Sequence, residues 1–379
     1  MATVSQLQSK VPFVDLNAQY AGVKNEILDA VHKVIDSTHF VGGQFVEQFE
    51  EAFARYTGAS YAAGVASGTA ALELAFKAAG IKRDDELIVP ANSFFATAEA
   101  VSNVGAVPVF ADICAETFHM NASSVEERIT PRTRAIIPVH LYGRAMDLRA
   151  LESVAAKHGL QLIEDAAQAH GVGFAGRPVG SSGHLCCFSF YPGKNLGAYG
   201  DAGAVTTSDP KMLERLRMLR DHGSPSKYQH SLIGTNGRLD AIQAAVLCVK
   251  LKYLDDWNSS RVRHAERYIK QLARCKIVVP YIPADGEHNV HLFVIRIKQR
   301  DKLLKFLQDR AIGCAIHYPV PLHLTKAYQD LGYPGIGSLP ITEGIAQEIV
   351  SLPMFPELTD QQIDYVAETV EEFCNEHSG

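Results

Sequence analysis

Apolar residues recur at helical spacing at Val23, Ile27, Val31, Val34 and Ile35, and again at Phe45, Phe49, Phe53 and Tyr56. This spacing predicts two amphipathic helices near the start of the chain. Short apolar runs then alternate with helical patterns. LIVP at 87–90, VPVF at 107–110, AIIPV at 135–139 and LQLIED at 160–165 read as buried strands, with helices over 93–104 and 147–158. That alternation predicts a layered α/β fold with a mostly parallel sheet. LCCFSF at 185–190 and GAVTT at 203–207 are close in sequence with only a Gly-rich stretch between them, so this part of the sheet is expected to be mixed. A long apolar helix is predicted over about 239–257.

After residue 258 the pattern changes. A polar, arginine-containing helix over 259–273, a strand over 290–297 and a helix over 301–310 predict a smaller α+β unit. Thr359 and Gln362 have capping-box spacing before a last helix at about 360–374. The Pro- and Gly-rich segment 320–345 reads as a surface or active-site loop. The expected organisation is an N-terminal arm over 1–20, a large domain over 21–257 and a small domain over 258–379. At 379 residues the chain is long enough for two or three domains.

Composition narrows the function classes. Hydrophobic residues at 47% and charged residues at 21% exclude a disordered, collagen-like or coiled-coil chain. A net charge of -6 argues against wholesale nucleic-acid binding, which needs a basic face. It leaves room for a small anionic substrate held by a few local cations. The seven cysteines are scattered without a CxxC pair, so they read as reduced thiols that fill the core, and no metal site is expected. No apolar run has the length of a membrane span and the first residues do not resemble a signal peptide, so a cytoplasmic protein away from membranes is expected.

Four clusters could carry chemistry. Ser67-Gly68-Thr69 leads into a helical run, where exposed N–H groups and a hydroxyl can bind phosphate; an ordinary strand-to-helix turn would look the same. Glu164 and Asp165 end an apolar strand, where α/β folds meet their ligands, although a helix-capping carboxylate is the plainer reading. Lys194 follows the FSF strand in a tight Pro-Gly loop, which suits a lysine that forms a Schiff base better than a solvated one. Before the long apolar helix, Asn236 and Asp240 read as turn and cap residues, and Arg238 as a ligand of a carboxylate or phosphate or, more plainly, a surface or salt-bridge residue. A phosphate turn, a strand-end acid and a loop lysine in this order suit pyridoxal 5'-phosphate.

With SGTAAL, PANSFFATAEA, EDAAQAHG, FSFYPGKNLGAYGDAGA, GTNGRLDAIQAA and HYPVPLH in one order, the chain resembles the DegT/DnrJ/EryC1/StrS family of sugar aminotransferases from about Val11 to its end. The resemblance implies a fold-type I, aspartate aminotransferase-like architecture and a homodimer with shared active sites. It implies Lys194 as the Schiff-base lysine, Asp165 as partner of the pyridine nitrogen, and Gln168 beside the cofactor ring. Gly68, Thr69 and Ser189 match phosphate ligands, and Phe94 the aromatic residue on the ring. Asn236 matches an asparagine reaching the phosphate from the neighbouring subunit. Arg238, His317, Tyr318 and His323 match positions lining the sugar or nucleotide pocket, some of them from the partner; Tyr191 is either a substrate contact or a wall.

The activity so implied moves an amino group from L-glutamate to a nucleotide-linked keto sugar, a dTDP- or UDP-3-oxo sugar being favoured over a 4-oxo one. Relatives that dehydrate carry His in place of the lysine, and position 194 is Lys. A cysteine desulfurase would need a nucleophilic cysteine on a mobile loop, for which Cys314 is the one candidate, among apolar neighbours. A regulatory, non-catalytic chain would be expected to lose Lys194 or Asp165. A nicotinamide dehydrogenase would want GxGxxG after the first strand, and none is present. Cys186 and Cys187 point to opposite faces of one strand and are read as packing.

Overall fold

The computed structural model describes residues 11–283, 286–333 and 335–377. Its centre is a sheet of β1 (Tyr61–Val65), β2 (Glu86–Pro90), β3 (Val107–Ala111), β4 (Thr133–Ile136), β5 (Gln161–Asp165), β8 (Leu185–Ser189) and β9 (Gly203–Thr207). Between β5 and β8 lies a two-residue hairpin, β6 (Gly173–Phe174) and β7 (Arg177–Pro178). The central order is β1-β9-β8-β5-β4-β2-β3. Only β9 runs against its neighbours, pairing antiparallel with β1 and β8, which is the mixed region expected from the short connection.

The strands are apolar on both faces because helices cover both. Leu87 and Val89 of β2 pack with the helices Gly68–Ala78, Ala96–Asn103 and Pro210–Arg220, whereas Ile88 packs with Arg149–His158 on the other side. Cys187 and Cys186 divide in the same way between two cores, as packing residues should. Cys114, Cys186, Cys187, Cys248 and Cys314 carry free thiols. Glu164 likewise turns away from Asp165. Buried, it accepts a hydrogen bond of 2.8 Å from Nε2 of His140, whose Nδ1 accepts from the Met146 N–H.

The C-terminal part pairs β10 (Phe293–Arg296) with β11 (Ile349–Leu352), and its core includes the helices Leu254–Leu272, Arg300–Asp309 and Asp360–Glu376. Thr359 and Gln362 form the expected capping box. The predicted helix over 239–257 is shorter: it is Ala241–Leu251, and a second helix starts at Leu254. Leu254 still packs with Leu247 in the large core, while Ala265, Tyr268 and Leu272 pack in the C-terminal one. The expected boundary at 257 therefore lies inside a continuous helix. Of the expected N-terminal arm, residues 1–10 lie outside the described residues. Val11 is fully buried against the C-terminal part, bridging Ile312, and Leu16 begins a helix. The segment 320–345 is not a plain loop: it forms short helices, and Leu322, Tyr328 and Leu339 enter the main core. Among the described residues no helix is long and apolar enough to cross a membrane, and no cluster of three metal-ligating side chains occurs.

Candidate active site

Parallel strands end on the same side of a sheet, and there the segments following β1, β2, β5 and β8 line a cavity of about 590 Å³. Asp165 is the last residue of β5 and is buried. Each of its oxygens takes one protein donor: Thr97 Oγ1 at 2.8 Å on Oδ2 and the Ala167 N–H at 3.1 Å on Oδ1. Ser93 Oγ lies 2.7 Å from Thr97 Oγ1 and extends the chain. A carboxylate has about four acceptor positions, so Asp165 keeps capacity for a donor within the cavity.

Lys194 lines the same cavity. Its N–H closes a turn onto the Tyr191 carbonyl at 2.8 Å. Burial pushes its ammonium down to about 8, against the negative charge of Asp165, which holds it up. A lysine so placed spends an appreciable fraction of its time as the free amine near neutral pH.

Across the cavity, Ser67 caps the helix Gly68–Ala78, its hydroxyl accepting from the Ala70 N–H at 3.1 Å. The first N–H groups of a helix lack intrahelical partners, so those of Gly68 and Thr69 are available to an anion. Gly68 is required by close approach: a Cβ there would lie 2.6 Å from Cβ of Ser189. The missing side chain lets the helix start and the end of β8 come together around one small space.

Aromatic and polar groups complete the wall. Phe94 is 56% exposed, with its ring centroid 5.7 Å from that of Tyr318. Gln168 accepts from the Tyr142 N–H at 2.6 Å and donates to the Tyr318 hydroxyl at 3.2 Å. Tyr142 in turn donates its hydroxyl to the His317 carbonyl. His317 stacks on Phe13 at 5.6 Å and shares a 2.8 Å hydrogen bond between Nδ1 and Ser351 Oγ. Burial, and then the Lys194 charge, push its imidazole down to about 4. Tyr191 stands at the rim, more than half exposed.

The structure thus brings Gly68, Thr69, Phe94, Asp165, Gln168, Ser189, Tyr191, Lys194, His317 and Tyr318 to one cavity. Three expected residues are elsewhere within this chain. Asn236 bridges Asp221, and Arg238 donates to the Asp221 carboxylate at 2.5 Å, beside a separate cavity that Arg217 and Arg220 also line. His323 does not line the site; it is buried against Phe110 and bonded to Glu343 at 3.2 Å, because the segment carrying it folds into the core. Sequence reasoning missed Ser93 and Thr97, although both stand in the PANSFFATAEA stretch, and it missed His170 and His291. His291 lines the cavity, and Nε2 of His170 donates to the Ser189 carbonyl at 3.0 Å.

Several histidines are held neutral by burial: His119, His170 and His288 are pushed down to about 3, and His317 to about 4. Their folded values lie below the unfolded value of 6.5, so the unfolded chain binds more protons as the pH falls. The stability they contribute is complete above 6.5 and is lost progressively toward about 3. Urea midpoints are therefore expected to fall markedly between pH 7 and pH 5. Equal midpoints at the two values would contradict the neutral, buried assignment.

Comparison with known proteins agrees with this geometry. The family model described as "DegT/DnrJ/EryC1/StrS aminotransferase family" matches residues 22–371. The chain is 46% identical to the erythromycin biosynthesis sensory transduction protein EryC1 of Saccharopolyspora erythraea, covering 95% of this chain and 98% of that one. It is 45% identical to the dTDP-3-amino-3,4,6-trideoxy-alpha-D-glucose transaminase of Streptomyces venezuelae, covering 96% of both. The crystal structure of S. venezuelae DesV in complex with a ketimine intermediate superposes with a TM-score of 0.94 at 45% identity, over 96% of this chain and 98% of that one.

Proposed function

The chain belongs to the DegT/DnrJ/EryC1/StrS aminotransferase family, and from that premise we propose that it transfers an amino group from L-glutamate to a nucleotide-linked keto sugar with pyridoxal 5'-phosphate as cofactor. The observation that carries this reading is the sharing of one cavity by Lys194, Asp165 and a helix N-terminus. The residues fit the cofactor. Lys194 can attach its aldehyde carbon, Asp165 has acceptor capacity for the pyridine nitrogen, and Gly68, Thr69 and Ser189 surround a space suited to its phosphate. Phe94 and Gln168 line the same cavity and would cover the ring and meet its polar edge. When bound, the cofactor supplies an electron sink for cleavage of a bond at the amino-bearing carbon.

The protein's own part is to position groups and move protons. Nζ of Lys194, whose hold on its own proton is weakened by burial, would take the proton from the donor's α-carbon and give it up again with the cofactor bound. Asp165, fixed by Thr97 and Ala167, maintains a negative charge in the same cavity. The same groups, run in reverse, serve the keto-sugar half of a ping-pong cycle.

We favour a 3-oxo sugar nucleotide, in line with the 3-amino product named for the S. venezuelae transaminase. A diphosphate substrate needs cations. Among the described residues, the basic ones lining this chain's cavity are Lys194, His291 and His317, and burial disfavours the charged form of both histidines. We therefore read the chain as a homodimer in which Asn236 and Arg238 reach the partner's cavity, the two being absent from their own. The free thiols of Cys114, Cys186, Cys187, Cys248 and Cys314 are in keeping with a cytoplasmic location. A regulatory role, which the name of the S. erythraea relative brings to mind, would not call for Lys194 and Asp165 together.

Visible absorption tests the reading. The chain with pyridoxal phosphate is expected to show a band that bleaches with L-glutamate and returns on adding a dTDP- or UDP-3-oxo sugar. Return with a 4-oxo sugar alone would move the substrate assignment. A chain that stays colourless would bring the regulatory reading forward.

A further inference from the structure

Lys250 is fully buried on the helix Ala241–Leu251. Its Nζ donates to the Gly197 carbonyl at 2.5 Å and lies 5.0 Å from the ring centre of Tyr199 and 5.8 Å from that of Trp257. Among the described residues no carboxylate lies within ion-pair distance of it; Glu357 acts on it only through space. A buried cation without an ion pair is costly, and an apolar side chain of similar length would serve packing better. The ammonium therefore calls for a reason beyond stability.

Its acceptor supplies one. Gly197 stands three residues after Lys194, in the loop between β8 and β9. That loop is folded onto itself: a Cβ at Gly197 would lie 2.3 Å from the Pro192 carbonyl oxygen, and the Ala198 N–H bonds the Phe190 carbonyl at 2.8 Å. Asn195 anchors the other side of Gly197's turn, donating to Asn258 at 2.8 Å and sharing a 3.0 Å bond with His291. Lys194 thus precedes two tethers, one neutral and one cationic, that hold the same short stretch of backbone.

We propose that Lys250 is a positioning residue for Lys194: its buried ammonium grips the Gly197 carbonyl and fixes the loop from which Lys194 enters the cavity, an inference that rests on the function proposed above. The cation–π walls of Tyr199 and Trp257 keep that ammonium in place without a carboxylate that would draw it away from the carbonyl.

Lys250→Met keeps the length of the side chain and removes the ammonium; Lys250→Arg restores a cation. Each is loaded with pyridoxal phosphate, and the visible band is titrated with pH beside glutamate turnover and thermal melting. Lys250→Met is expected to move the midpoint of the band by about half a pH unit or more and to lower kcat about tenfold, with KM for glutamate within about twofold of the parent. Lys250→Arg should recover most of both. A Lys250→Met chain that melts lower but keeps the parent's midpoint and kcat would overturn the inference, leaving Lys250 a purely structural residue. Should Lys250→Met fail to fold, Lys250→Gln is measured in its place against the same two outcomes. A parent chain that develops no visible band overturns the proposed function itself, and is thereby distinguished from failure at Lys250 alone.

Discussion

Lys194→Ala should lower turnover by about a thousandfold or more, because one side chain both attaches the cofactor and carries the proton. The loss should be one of chemistry rather than of folding. Lys194 contributes its main-chain N–H to the loop, which alanine retains, and the neighbouring Leu196 and Ala198 stay in the core. The anion site at Gly68 and Thr69 and the carboxylate of Asp165 are untouched, so the variant should still bind pyridoxal phosphate, more weakly and without covalent attachment. Borohydride reduction followed by mass measurement separates the two states: the parent gains the cofactor's mass less one water plus two hydrogens, and the variant gains nothing. An alanine variant with near-parental turnover would remove Lys194 from the reaction.

Asp165→Asn should reduce the glutamate half-reaction by about a hundred- to a thousandfold, the scale of removing one preorganised electrostatic contact. The substitution is nearly isosteric. An asparagine oxygen can still accept from the Ala167 N–H, and its amide can donate to Thr97 Oγ1, which now bonds Asp165 at 2.8 Å. The change therefore isolates the negative charge from the shape of the site. Single-turnover bleaching of the visible band by glutamate measures it directly. A rate equal to the parent's would mean that the charge at the end of β5 does not act on the pyridine ring.

Much of this site was legible in the sequence because its cofactor side is local. Ser67-Gly68-Thr69, Asp165 and Lys194 each sit within a few residues of a strand end, and strand ends are marked by where apolar runs stop. What was not legible depends on side chains far apart in the chain. The Thr97–Asp165 bond spans 68 residues, and the tie from Asn195 to His291 spans 96. Nothing in spacing reveals such pairs. The break between Leu251 and Leu254 was missed because both flanking stretches are helical and only the core they face changes. His323, matched to a pocket-lining position by resemblance, stands away from this chain's own cavity because Leu322 and Tyr328 draw its segment into the core.

The cavity has two origins along the chain, and this has a consequence for how such proteins diverge. Asp165, Lys194, Ser189 and Gly68 hang from the sheet, where each neighbour is packed and a change is felt throughout the core. Phe13, Val14, His317 and Tyr318 reach the cavity from the segment before the helix that begins at Leu16 and from the C-terminal part. Those segments can be remodelled without altering the strands of the central sheet. A different substrate could therefore be accommodated by redrawing the outer wall, with the inner wall and its chemistry left intact.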